Sequence, residues 1–268
     1  MAPFSTSDPR PTSPTSAEVE HANRGEWDQM ADEYQAEHGE FLGDAGFRWS
    51  PEGADEAELH LLGDVAGLDV LEIGCGAAQC SRWLLAQGAR PVGLDVSTRQ
   101  LQHARRLDDD AGVHVPVLAG SATALPLADD AFDAVCSAFG ALPFVSDVDA
   151  AMAEVARVLR PGGPWVFSVT HPVRWMFPDD PTDAGLRVVR SYFDRAPYLE
   201  HAADGSVAYA EHHRTVGDWV RALVGAGFVL DDLVEPEWTP GNTHVWGGWG
   251  PERGATLPGT TIFCSHLG

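Results

Sequence analysis

The sequence predicts an α/β fold built on a parallel sheet, and three observations carry that expectation. Short apolar runs alternate with helical stretches of about ten residues between Asp69 and Thr170, the rhythm of right-handed βαβ units. The first run, Val70-Leu71-Glu72-Ile73, passes directly into Gly74-Cys75-Gly76 and then into a helical pattern. The second run ends on an acidic residue, Asp95, about 20 residues further on.

Taken in order, residues 1–16 are rich in Pro, Ser and Thr and read as a disordered tail. From Ala17 to about Leu42 the spacing of Trp27, Met30, Tyr34 and His38 is helical. Residues 17–60 as a whole read as an N-terminal cap, with a loop at 43–55 and a helix at Glu56–Leu62 leading into the first strand. The main domain covers residues 61–268. Its first five strands fall at Asp69–Ile73, Pro91–Leu94, Val113–Leu118, Phe132–Cys136 and Trp165–Thr170. Helices fall between them at Gln79–Gln87, Thr98–Leu107 and Val148–Leu159, the last stopped by Arg160-Pro161-Gly162-Gly163. Residues 171–213, dense in aromatics, Pro and Asp, break the rhythm and read as an insertion. A helix at Thr215–Gly225, a strand at Phe228–Val234, a Trp- and Gly-rich loop at 235–256 and a strand at Thr260–Ser265 follow.

Composition narrows the function. With 268 residues and 44% hydrophobic content, the chain is large enough for a full α/β core. Its 40 acidic and 17 basic residues give a net charge of -23, a field that repels nucleic acids and anionic membrane surfaces, so neither is expected as a partner. Every basic residue is Arg, which removes a Lys nucleophile, a Schiff base and a P-loop lysine. Cys75, Cys80, Cys136 and Cys264 form no CxxC pair and no zinc-spaced set with His, so no metal site is expected. No signal peptide or transmembrane run is visible, and a cytoplasmic protein with reduced thiols, monomeric or homodimeric, is the expectation.

The glycine turn at Gly74-Cys75-Gly76 lets a ligand lie directly on the main chain, and Asp95 offers a carboxylate to two ribose hydroxyls. Two ligand classes fit. A dinucleotide fingerprint needs a third glycine where this chain has Gln79, so an NAD(P)-dependent enzyme is disfavoured. Glu72 makes the pattern ExGxG instead, which suits S-adenosylmethionine (SAM): it has no pyrophosphate to cradle, and its sulfonium and ammonium favour acidic surroundings.

Further blocks follow in order: GLDVS, GSATALPLADDAFDAV and EVARVLRPGG, ending just before the fifth strand. With VLEIGCG they make the chain resemble the class I SAM-dependent methyltransferases, in particular the small-molecule group of ubiquinone/menaquinone-type enzymes, over residues 69–170. The resemblance implies a Rossmann-like doubly wound sheet of seven strands with the last antiparallel, and SAM as cofactor. It implies that Glu72, Gly74, Cys75 and Gly76 form the methionine and ribose cradle, Asp95 the ribose contact and Val96 an adenine wall. Ser121 and Ala122 would sit at the adenine edge, and Ser137, Ala138 and Phe139 under the cofactor. The family usually has Asp where this chain has Ser121, which puts the adenine contact in question. The segment from Trp27 to Tyr34 looks like the family's cofactor lid.

The acceptor is expected to be a small molecule. In-line transfer from a sulfonium needs alignment and a dry pocket, and a base only for a weakly acidic hydroxyl or a protonated amine. His171 follows the fifth strand directly, at the sheet edge where ligands bind, and is the candidate base; His212, His213 and His244 are further candidates. Trp175 and Phe177 from the insertion, and Trp238, Trp246 and Trp249 from the last loop, are expected to wall the acceptor pocket. A SAM-binding protein without transfer activity is the alternative.

Overall fold

The computed structural model describes residues 14–268. The first 13 residues of the expected tail lie outside that range. The remainder of the tail is already ordered: Thr15 caps helix α1 (Ser16–Leu42), accepting from the Glu18 N–H while the Glu18 carboxylate accepts from the Thr15 N–H. The Thr15-x-x-Glu18 spacing is the sequence signature of that reciprocal cap.

The next elements are a single turn, α2 (Glu56–Leu59), then β1 (Asp69–Ile73), α3 (Gln79–Ala86), β2 (Arg90–Asp95), α4 (Thr98–Ala111) and β3 (Val117–Ala119). After these come β4 (Ala134–Ser137), α5 (Val148–Val158) and β5 (Pro164–Thr170). The rest comprises a hairpin, β6 (Tyr198–His201) and β7 (Val207–Glu211), then α6 (Val216–Gly225), β8 (Phe228–Val234), α7 (Pro251–Gly254) and β9 (Thr260–Leu267). Seven strands form one sheet in the order β3-β2-β1-β4-β5-β9-β8, and β9 is antiparallel to both its neighbours. The order reverses between β1 and β4, which opens a crevice at the carboxyl ends of the strands.

Both faces of the sheet are apolar because both are covered. Leu71, Val135, Phe167 and Phe263 point to the face packed by α5 and α6, with Met152, Val155 and Leu223. Their strand neighbours Val70, Ala134, Val166 and Ile262 point to the other face, against Leu84 of α3 and the Phe47–Trp49 pair.

Three expected elements differ. The third strand is short because the N–H groups of Val113 and Val115 turn back to Asp108 of α4, and Pro116 has no N–H to give. The helix expected over Glu56–Leu62 stops at His60, which takes a left-handed φ of 51°, while the Glu56 carboxylate collects the N–H groups of Leu61 and Leu62. The insertion is not irregular throughout: it holds the β6–β7 hairpin, whose turn carries the Asp204-Gly205 dipeptide.

Candidate active site

The glycine turn sits at the switch point. After β1 the N–H groups of Gly74 and Cys75 both donate to the Leu94 carbonyl at 2.7 and 3.0 Å, which folds the chain back sharply. Gly74 and Gly76 take φ values of +71° and +52°. A Cβ on Gly74 would lie 2.8 Å from both the N and the Cβ of Ala141, so only glycine leaves this floor open.

Asp95 ends β2 and is fixed by the turn. Its Oδ2 accepts from the Gly76 N–H and its Oδ1 from the Ser97 N–H, each at 2.8 Å. One acceptor site per oxygen remains, the number a ribose diol needs. Burial pushes its carboxyl up to about 6, against the backbone hydrogen bonds that lower it.

A cavity of about 480 Å³ opens over these residues. Gly74, Gly76, Asp95 and Val96 line it from the sheet, and Ser121 and Ala122 from the loop after β3. Trp27 and Tyr34 of α1 close it from above. The helix is clipped in place: Asp28 accepts from the Ser97 hydroxyl and the Arg99 N–H, Asp32 pairs with the Arg99 guanidinium at 2.8 Å, and Gln35 bridges Gln100 and Gln79.

The structure does not bring every expected residue to this wall. Glu72 lies behind the turn, hydrogen-bonded to the Ser81 hydroxyl and pushed up to about 7 by burial. Cys75 turns back against Gly93. Ser137 is fully buried, and Ser137 and Ala138 do not reach the cavity. Phe139, with a left-handed φ of 37°, directs its ring to Trp246.

His171 is not brought to the cavity either. Its Nδ1 accepts from the Val173 N–H at 3.0 Å, so Nε2 carries the proton and donates to Glu235 at 2.8 Å. The ring caps the 3₁₀ turn Pro172–Met176 and has no free lone pair for an acceptor proton. Burial lowers its pKa, against the raising effect of Glu235.

The expected acceptor walls separate into two groups. Trp175 and Phe177 line a second cavity of about 410 Å³ together with Trp27, Tyr209 and Glu26. Trp27 lines both cavities and is the partition between them. The loop tryptophans lie elsewhere. Trp238 donates to the Asn242 carbonyl and packs on Gly254. Trp249 stacks on the Arg253 guanidinium at 4.0 Å. Trp246 backs the lid, stacked on His38 at 3.7 Å and edge-on to Tyr34 at 5.6 Å.

Sequence reasoning passed over the polar residues of α1. Glu20 lines the first cavity and hydrogen-bonds Ser121. Asn23 pins the helix to the turn after β4 through the Phe144 carbonyl, and to β7 of the insertion through the Ala210 carbonyl and N–H. Glu20, Asn23, Trp27 and Tyr34 share one helical face, and that spacing is the signal that was there to be read.

Fold and site together define a Rossmann-like protein that takes a nucleoside ligand without a pyrophosphate cradle. Residues 70–163 match the family model described as a methyltransferase domain. Demethylmenaquinone methyltransferase of Thermus thermophilus is 35% identical over 165 residues, 60% of this chain and 69% of that one. The protein of the same name from Parafrankia sp. is 35% identical over 192 residues, 62% of this chain and 75% of that one. A solved SAM-dependent methyltransferase from Mesorhizobium loti superposes with a TM-score of 0.63 and 28% identity, covering 81% of this chain and 100% of that one. The chain belongs to the class I SAM-dependent methyltransferases of the small-molecule group, and SAM is its cofactor. The residues present fit that group: a floor only glycine permits, and a buried carboxylate with two acceptor sites free. Among the described residues, no helix is long and apolar enough to cross a membrane.

Proposed function

We propose that the enzyme methylates a nitrogen or an acidic hydroxyl of a neutral or cationic aromatic small molecule, held in the second cavity against Trp27. The observation that carries this reading is that Trp27 lines both cavities, so that rotation of its side chain brings cofactor and acceptor into direct contact.

Bound SAM supplies an electrophilic methyl on a sulfonium. The chain supplies alignment and a dry pocket. Trp27, Trp175, Phe177 and Tyr209 offer apolar faces that stack on a planar ring and exclude water. The two arginines on this cavity are already committed: Arg174 pairs with Asp179 at 3.0 Å and with Glu211 at 3.8 Å, and Arg190 pairs with Asp194 at 2.8 Å. Glu26 and Glu200 add negative charge, which favours a cation over a carboxylate. Both nitrogens of His171 are engaged and, among the described residues, no histidine lines this cavity, which favours an amine lone pair or a hydroxyl that ionises readily.

The test is tritium transfer from methyl-labelled SAM to a panel of aromatic amines, phenols and aromatic acids. Amines and phenols acquire label and Trp27→Ala lowers turnover at least tenfold. Labelling confined to the aromatic acids, or none in any small molecule, contradicts the proposal.

A further inference from the structure

The first cavity runs along three neighbouring strand ends, from the glycine turn after β1, over Asp95 at the end of β2, to Gly120–Thr123 after β3. A nucleoside whose ribose lies on Asp95 and whose amino-acid arm lies on the glycine turn has only the β3 end left for its base. Leu94, Val96 and Ala122 make apolar walls there. The base's exocyclic amine then needs an acceptor at the far rim.

Donor and acceptor counting excludes Ser121. Its hydroxyl gives its one proton to Glu20 Oε2 at 2.7 Å. Its oxygen accepts from the Thr123 N–H at 3.2 Å and lies 2.9 Å from the Thr123 hydroxyl, whose proton it takes because its own is spent. Glu20, on the first turns of α1, lines the same cavity. Its Oε1 accepts from Arg24 at 2.9 Å and its Oε2 from Ser121, which leaves about two of its roughly four acceptor sites open.

We infer that Glu20 accepts the adenine N6 amine of SAM, replacing with a helix-borne carboxylate the acid absent at position 121. This rests on the reading that the first cavity holds SAM. It makes the base reader part of the lid: recognition of adenine and docking of α1 become one event. Ser121 is the strut that aims Glu20 into the cavity. Asp147 is the competing acid on this wall, but its Oδ1 caps α5 by accepting from the Ala150 N–H at 3.0 Å.

Calorimetric titration with S-adenosylhomocysteine and with its 6-oxo analogue, S-inosylhomocysteine, tests the assignment. The parent prefers the adenine ligand by roughly 10- to 100-fold, the scale of one charge-assisted hydrogen bond. Glu20→Ala abolishes that preference, and adding Ser121→Asp restores it. Glu20→Gln, nearly isosteric, collapses the preference without unfolding, because an amide can face either an amine or a carbonyl. Asp147→Ser, which keeps the helix cap, leaves the preference intact. The inference is overturned if both Glu20 variants keep the parental preference. It is equally overturned if Asp147→Ser removes it, or if Glu20→Ala weakens both ligands equally, the mark of lid packing alone. A parent that binds neither ligand overturns the cofactor reading and this inference with it.

Discussion

The two cavities share Trp27 and little else. In the first, the floor is main chain or a side chain pinned by it: the Gly74–Gly76 turn, and Asp95 held by two backbone N–H groups. In the second, side chains of α1 and of the insertion form the walls, and nothing obliges a relative to repeat them. On the function proposed above, backbone geometry serves the ribose and amino-acid arm of the ligand common to the family, and side chains serve its base and the acceptor particular to this chain.

The largest effect that sharpens this contrast comes from Asp95→Ala. Two charge-assisted hydrogen bonds of roughly 1.5–3 kcal/mol each are lost, so S-adenosylhomocysteine binding weakens by at least 100-fold in calorimetry. Trp175→Ala leaves the same affinity unchanged. Equal losses in the two variants would merge the cavities into one site.

The same carboxylate sets a pH dependence. Burial raises its pKa to about 6, so it is protonated below that value and loses one acceptor site. A ligand that prefers the charged form therefore binds more weakly as pH falls through 6, by up to about tenfold per unit. Asp95→Asn binds weakly at every pH and flattens the profile. A flat profile in the parent would remove Asp95 from the ribose.

On the acceptor side the effects are smaller. Trp175→Ala raises the acceptor KM by roughly tenfold and leaves the KM for SAM alone, since stacking contributes about 0.5–1.5 kcal/mol. Smaller still is His171→Ala. It removes a turn cap and a contact to Glu235, lowering stability by about 1 kcal/mol in denaturant titration with kcat within about threefold of the parent. A 100-fold fall in kcat would return His171 to the role of general base.

The asymmetry between the cavities also decides what the sequence disclosed. The βαβ rhythm from β1 to β5, the glycine turn and Asp95 were legible because local backbone requirements dictate their residues. The partners of His171 were not: its capping of Val173 and its bond to Glu235, 64 positions away, exist only after folding. Trp238 and Trp249 looked like pocket aromatics because a Gly-rich loop hides which ring packs on Gly254 and which on Arg253. The β6–β7 hairpin carried its Asp-Gly signal, but the surrounding Pro and Asp residues masked the short strands. Glu20 carried no signal beyond its helical spacing to Asn23, Trp27 and Tyr34, and only the docking of α1 turns it toward Ser121.

Hydrogen exchange with S-adenosylhomocysteine alone tests the division between the cavities most directly. The account predicts protection at residues 74–76, 95–97 and 120–123 and along α1 from Ser16 to Tyr34, with residues 172–195 of the insertion exchanging as in the free protein. Protection of residues 172–195 as strong as that of the glycine turn, or an α1 indifferent to the ligand, would contradict it.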